Sequence, residues 1–411
     1  MKPKSNKRIT ILCQHFYPEE ASTGQQVTEL AQDLSQAGYE VSVISSQPTY
    51  FIKHKNKLSS RGQYEKIKIS RTNNTRFNKD NIAGRLINAL TYFLSAAWIL
   101  FKQPGEEILL VYTNPPFLPV LAFLSRLLRR QRYIVVIYDL YPDTVCNISY
   151  LCWLKLFSGL FNFLNRIVFN AAEKVIVIGK DMQRLLESRR IKPEKITYIP
   201  NWADGEVIKP LAKSVNFLSE QYQLRSKFVV GYSGTLARYH DFETVVLAAG
   251  LLKDEPIVFL FICSGAIVGK LKIKVEQKGL TNFVFLPYQD KKMLSLTIPL
   301  ADAGLVLQRP EYKGVNVPSK TYAYLAAGLA LVGVLPEGSE IAGLIKESGC
   351  GFTVQPGEPM LLADKIKTLF RNQKLREEMS RRSRKIFEQN YERKVITEQY
   401  RKVFDQVLAL T

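Results

Sequence analysis

The sequence predicts two doubly wound α/β domains in one chain. Three observations carry that expectation. Short apolar, β-branched runs alternate with longer helical stretches along most of the 411 residues, and such alternation builds parallel sheets covered on both faces. The alternation falls into two series, separated at 201–227 by a polar, less periodic stretch that contains Pro210. The length also suits two domains, at roughly 100–200 residues each. Hydrophobic residues at 46% and charged residues at 23% are ordinary globular values and exclude a disordered chain. With 23 Gly and 19 Pro, collagen-like and low-complexity architectures are excluded too.

In the first series, 9–16, 41–46, 108–112, 134–138 and 175–178 read as strands. Helical patterns lie between some of them, at 27–36, 116–128 and 181–188. In the second, strands are expected at 228–232, 257–262, 283–286, 304–307, 329–334 and 352–354, with helices at 242–252, 270–278, 319–327 and 341–347. The tail from Met360 is helical and charged. The domains expected are 1–206 and 207–389, with a C-terminal helix at 390–411 packing back on the first. Open sheets bind ligands outside the carboxyl ends of their strands, so the cleft between two such domains is the expected site.

Lys and Arg number 57 against 37 Asp and Glu, a net +20. Residues 1–200 hold +13 of it and 201–411 the other +7. The excess peaks between Lys53 and Arg85, where ten cations meet only Glu65 and Asp80. Nucleic acid, anionic lipid, an anionic substrate or plain solvation would each account for such a run. Its neighbours favour lipid. The segments 86–101, 116–128 and 150–169 are apolar, and the last is rich in aromatic residues. None is a clean span of ~18 residues, so a helix lying on a membrane is expected rather than one crossing it. Packing over the sheet is the competing explanation for each helix. No secretory signal is expected, because 9–16 reads as a strand. The five Cys, at positions 13, 146, 152, 263 and 350, are odd in number and lack metal spacing, which favours a reducing cytoplasm over a disulfide framework or zinc site.

Three turns carry candidate chemistry. The first strand leads through HFYPEEASTG to Gly24 at a helix start, where backbone N–H groups can approach an anion. There is no dinucleotide fingerprint. The strand at 228–232 runs into Ser233-Gly234-Thr235, with Arg238 four residues after Gly234 and then His240 and Asp241. A guanidinium there can bind phosphate oxygens bidentately, and His240 adds a positive charge if protonated. The third turn leads from Arg309 and Glu311 to Pro318-Ser319-Lys320, a helix start that offers a hydroxyl, N–H groups and an ammonium.

With these pieces in order, the chain resembles the GT-B glycosyltransferases of family 4, nearest the colanic acid and exopolysaccharide branch. The matching strings are HFYPEEASTG, YDLYPD at 138–143, VIVIGK at 175–180, YIPNWAD at 198–204, YSGTLARYHDFET at 232–244, ADAGLVL at 301–307 and VPSKTYAYLAAG ending at Gly328. The resemblance implies a GT-B fold and retaining transfer of a sugar from a nucleotide diphosphate sugar, UDP-linked by preference, with no cofactor or metal required. It implies that Gly24 lies close to the donor phosphates and that Arg238 binds the diphosphate, for which the small Ser233-Gly234 turn is also suited. It implies that Ser319 and Lys320 receive the distal phosphate, and that Asp139 or Asp143 meets sugar hydroxyls. Asp139, Arg238 and Lys320 are the expected catalytic residues. The family's paired glutamates are replaced by Val315 and Ala323, and Glu311 is the candidate substitute for one of them. The lysine often found after the arginine is absent, with His240 near its place.

The expected partners are a nucleotide sugar, a lipid-linked or polysaccharide acceptor and an anionic membrane surface, with no nucleic acid. The expected place is the cytoplasmic face of the plasma membrane. A non-catalytic relative that binds anionic membrane and a nucleotide-sugar epimerase are the alternatives.

Overall fold

The computed structural model describes residues 7–19, 22–48, 58–77, 82–105, 108–146 and 155–409. The chain divides into two compact units. One holds the chain to Pro200 with Gly314–Asn316 and Ile396–Thr411; the other holds Asn201–Lys313 and Val317–Val395.

The first unit is an eight-stranded sheet with its helices. In chain order it holds β1 (Arg8–Leu12), α1 (Ser22–Gln36), β2 (Glu40–Ser45), β3 (Arg61–Tyr64), β4 (Ile67–Arg71), α2 (Ile82–Lys102), β5 (Ile108–Tyr112) and α3 (Leu118–Arg129). Then follow β6 (Tyr133–Ile137), α4 (Asp143–Cys146), α5 (Lys155–Ala171), β7 (Lys174–Val177), α6 (Lys180–Ser188) and β8 (Ile196–Tyr198). The strand order is β3-β4-β2-β1-β5-β6-β7-β8. Among the described residues only β3 and β4 pair antiparallel. β5 and β6 are buried at every residue, as strands covered on both faces must be, and so they read as unbroken apolar runs. The order reverses at β1, with β2 on one side and β5 on the other.

The second unit holds α7 (Phe217–Gln221), β9 (Phe228–Thr235), α8 (Glu243–Leu251), β10 (Ile257–Ser264), α9 (Val268–Gln277), β11 (Phe283–Leu286), α10 (Leu294–Thr297) and β12 (Ala303–Leu307). It continues through α11 (Lys320–Ala326), β13 (Ala330–Val334), α12 (Glu340–Ser348), β14 (Gly351–Val354), α13 (Pro359–Arg371) and α14 (Gln373–Asn390). Its six strands run in the order β11-β10-β9-β12-β13-β14 and are all parallel. Phe259 and Phe261 of β10 face Phe283 and Phe285 of β11 at ring separations of 5.3–6.0 Å, and burying each such ring contributes about 1.5–3 kcal/mol. Here the order reverses at β9, between β10 and β12.

The last helix, α15 (Arg393–Ala409), belongs to the first unit from Ile396 onward. Asp405 accepts from Lys7 at 2.7 Å and from Tyr39 at 2.5 Å. Ile396, Tyr400, Phe404 and Val407 are buried along one face, at the i, i+3 and i, i+4 spacings of an amphipathic helix. The sequence-predicted strands and helices all have counterparts. The hairpin of β3 and β4 was not among them. Arg61-Gly62-Gln63-Tyr64 shows no apolar alternation and reads as basic loop.

Candidate functional site

In the second unit the loops after β9 and β12 meet at the point where the strand order reverses, the position at which open α/β sheets bind ligands. Gly234, the last residue but one of β9, has φ +121°, a conformation that side chains disfavour. A Cβ there would lie 3.7 Å from Cε of Lys320, so the lysine stem lies against this turn. Tyr324, one helical turn beyond Lys320, accepts a hydrogen bond on its hydroxyl from the Ser233 N–H at 2.7 Å. The Arg309 N–H donates to the Tyr239 carbonyl at 2.8 Å and joins the two loops.

His240 lies at the centre of this arrangement and is 1% exposed. Its Nδ1 accepts from the Ala237 N–H at 2.9 Å. Its Nε2 stands 3.1 Å from Nζ of Lys320. The lysine also lies over the Tyr232 ring, 4.8 Å from the centroid, and the Tyr239 ring packs on His240 at 4.3 Å. Burial above all holds the His240 imidazole well below its ordinary range. The expectation that His240 supplies positive charge is therefore corrected. It is a neutral ring whose Nδ1 lone pair is already taken. Burial also lowers the Lys320 amine to about 7.

The remaining sequence-predicted residues of this unit lie nearby in the chain but differ in setting. Arg238 is exposed on the turn before His240. Ser319 immediately precedes α11, is half-buried, and makes no side-chain capping bond. Glu311 is exposed in the single turn Pro310–Tyr312. Val315 is buried and Ala323 half-buried, so neither position carries a carboxylate. Tyr324 and Tyr232 were missed. Lys320 and Tyr324 share a helix face at i, i+4, which is the signal that points to the first.

In the first unit the turn after β1 packs on the start of α1. A Cβ on Gly24 would come within 3.1 Å of the Glu19 Cβ and carbonyl oxygen, so this glycine permits close packing of the turn. Thr28 holds the same turn, donating to the Gly24 carbonyl at 2.7 Å and accepting from the Tyr17 N–H at 3.1 Å. Glu19 is 4% exposed, with its Oε2 3.6 Å from Nδ1 of buried His15. Asp139 follows β6, and its carbonyl accepts from the Thr113 hydroxyl at 3.0 Å. Desolvation raises its carboxyl to about 6. Asp143 differs from Asp139. Its two oxygens accept from Arg189 at 2.6 and 2.8 Å, a bidentate pair that ties α4 to the end of α6.

The basic stretch does not form one free cationic face among its described residues. Lys68 pairs with Glu40 at 2.6 Å, Arg71 is 7% exposed and donates to the Tyr17 carbonyl, and Arg76 donates to Gln47. Lys53, Lys55, Lys57, Lys79 and the Arg85 side chain lie outside the described residues. The apolar segments show a clearer pattern. Leu86, Leu90, Leu94 and Trp98 form a four-residue-spaced exposed stripe on α2. Leu124, Leu127 and Leu128 are exposed on α3, and Phe157, Leu160, Phe163, Leu164 and Ile167 on α5. Helix α3 packs against both α2 and α5, and Phe117 contacts Phe161 at 5.5 Å. Lys102 lies over Trp98 at 4.1 Å, and Arg130 and Arg166 are exposed on the same helices. Among the described residues no helix is long and apolar enough to cross a membrane.

Comparison with known proteins adds independent findings. The family described as Glycosyltransferase Family 4 matches residues 23–207, and the one described as Glycosyl transferases group 1 matches residues 215–386. The chain is 26% identical over 292 residues to a probable glycosyltransferase, WbjE, of Pseudomonas aeruginosa, covering 70% of this chain and 72% of the relative. It is 24% identical over 335 residues to a putative colanic acid biosynthesis glycosyl transferase, WcaI, of Escherichia coli K12, covering 78% and 81%. The solved structure of Anabaena Alr3699/HepE in complex with UDP-glucose has a TM-score of 0.72 at 15% identity and covers 98% of this chain and all of that one. Both Rossmann-like units, the motifs in order and these matches agree, and the chain belongs to the GT-B glycosyltransferases of family 4.

Proposed function

We propose that this glycosyltransferase takes a sugar from a nucleotide diphosphate sugar, a UDP-sugar by preference, and transfers it with retention to a lipid-linked acceptor in cell-surface polysaccharide assembly. The observation that carries the donor half is the strand-reversal site of the second unit, where Gly234, Lys320 and the α11 start converge and Arg238 stands on the adjoining turn. Backbone N–H groups at Ser319 and Lys320, with the two cations, offset the charge that builds on a departing diphosphate. The acceptor hydroxyl oxygen bonds to the anomeric carbon on the face the diphosphate leaves, and a diphosphate oxygen takes the hydroxyl proton. Asp139, with a carboxyl near pH 6, hydrogen-bonds sugar hydroxyls. Asp143 is committed to Arg189 and is assigned to structure. Alr3699/HepE is described in complex with UDP-glucose, which supports a UDP-linked donor.

The stripe on α2 and its continuation on α3 and α5 support a seat on the cytoplasmic face of an anionic membrane. An exposed apolar face flanked by Lys102, Arg130 and Arg166 matches the chemistry of an interfacial helix. The acceptor class follows from that seat and from the colanic acid description of one relative. A thermal-shift panel of UDP-, GDP- and ADP-sugars tests the donor. A ligand at 100 times its dissociation constant stabilises by about 2.7 kcal/mol, so the UDP-sugars are expected to raise the midpoint while the others leave it unchanged. A shift only with GDP- or ADP-sugars refutes the UDP assignment.

A further inference from the structure

We infer that Lys320 and His240 form a proton-poised pair: with no donor bound, Lys320 is held as a neutral amine that accepts from the imidazole, and an arriving diphosphate draws in one proton to make it an ammonium. The inference rests on the diphosphate site proposed above.

The lone pairs of the two side chains decide where the protons sit. The Ala237 N–H points at Nδ1 of His240 at 2.9 Å, so Nδ1 accepts and carries no proton. A neutral imidazole then carries its proton on Nε2. That N–H faces Nζ of Lys320 at 3.1 Å. An ammonium has three donors and no lone pair, so it would set N–H against N–H. Only the neutral amine completes the hydrogen bond. Shifting the ring proton to Nδ1 would instead break the Ala237 bond.

Among the described residues no carboxylate charge acts on the Lys320 amine, whose shift comes from desolvation. Titratable groups placed around the pair are Tyr232 on β9, Cys263 on β10, Tyr239 on the same loop and Tyr324 on α11. All four are neutral near pH 7, and burial raises Tyr232, Cys263 and Tyr324 further. Asp241, next to His240, accepts from the Thr244 hydroxyl and N–H. Desolvation lowering Lys320 to about 7 agrees with this arrangement. A diphosphate at the Gly234 turn reverses the balance, because an adjacent anion favours the charged amine. His240 is then a positioning residue for Lys320, and donor affinity falls as pH rises above the amine's own midpoint.

The test has two arms on the full chain. Trace labelling with acetic anhydride at graded pH, read peptide by peptide in the mass spectrometer, gives the Lys320 midpoint with no ligand present. A midpoint near 7 is expected, rising by a unit or more in His240→Asn. A wild-type midpoint above about 9, near the ordinary lysine value, or one that His240→Asn leaves unchanged, overturns the pairing. Calorimetry of UDP-glucose binding in buffers of different ionisation enthalpy reads the proton. Close to one proton taken up per ligand at pH 8.5 and little at pH 6 is expected, with uptake abolished in Lys320→Met. Binding at pH 8.5 without uptake overturns the inference. A Lys320 midpoint near 7 with no UDP-glucose binding refutes the UDP-sugar reading and leaves the pair standing.

Discussion

Replacing Leu90, Leu94 and Trp98 together by Gln tests whether the α2 stripe seats the protein on lipid. These side chains are 58%, 59% and 65% exposed. Full burial of a large apolar side chain contributes about 1.5–3 kcal/mol. With roughly three fifths of each surface still to bury, insertion adds about 1–2 kcal/mol per residue, or about 3–5 kcal/mol for the three. At 1.4 kcal/mol per decade, that is a loss of about 10²–10³-fold or more in partitioning. The assay is sedimentation with vesicles of phosphatidylglycerol and phosphatidylethanolamine. The three positions already face solvent, so the thermal midpoint should stay close to wild type, since exposed substitutions change stability by about 0.5 kcal/mol or less. Partitioning within about threefold of wild type would refute the reasoning, and the stripe would then be a surface feature with no lipid partner. Binding should also weaken as salt rises, because the flanking cations are screened over ~8–10 Å.

Three further outcomes follow from the site. Arg238→Ala should lower kcat/KM for the donor by about 10²–10³, the usual effect of losing one group that stabilises developing charge; steady-state kinetics at saturating acceptor checks it. Lys320→Met should abolish transfer, and leaving the buried His240 Nε2–H without its acceptor should cost about 1–3 kcal/mol of stability near pH 8. The pH dependence follows from linkage. The folded amine sits near 7 and an unfolded lysine near 10.4, so the unfolded chain binds more protons across that window. Wild-type stability therefore gains with pH from about 7 to 10 relative to Lys320→Met in paired denaturation curves. Asp143→Ala should cost about 1–3 kcal/mol of stability, between the values for exposed and buried ion pairs, while the folded fraction keeps its donor KM; a rise in donor KM at unchanged stability would return Asp143 to the substrate.

Much of the architecture was legible in the sequence because central strands such as β5, β6, β12 and β13 are buried at every residue and read as unbroken apolar runs. Edge strand β3 was not, since Arg61-Gly62-Gln63-Tyr64 has no buried residue and so no apolar signal. Gly24, Gly234, Arg238, Ser319 and Lys320 stood out through glycine turns, a basic residue and a helix start. The state of His240 did not. A histidine near an arginine reads as a cation by composition, whereas the fold buries it, fills its Nδ1 with the Ala237 N–H and faces its Nε2 to a lysine 80 positions away. The Asp143–Arg189 pair was equally invisible, because its partner lies 46 positions on. Within the run 53–85, charge counting does not show that Lys68 is paired with Glu40 or that Arg71 is interior.

The most direct test of the central claim is transfer itself. Purified protein is incubated with bacterial membrane extract and a panel of sugar-labelled UDP-sugars, and label is followed into the organic-extractable fraction. The account predicts that one UDP-sugar labels a lipid-linked product, and that Lys320→Met and Arg238→Ala abolish or sharply reduce it. Release of free sugar with no labelled lipid or polysaccharide from any UDP-sugar would contradict it.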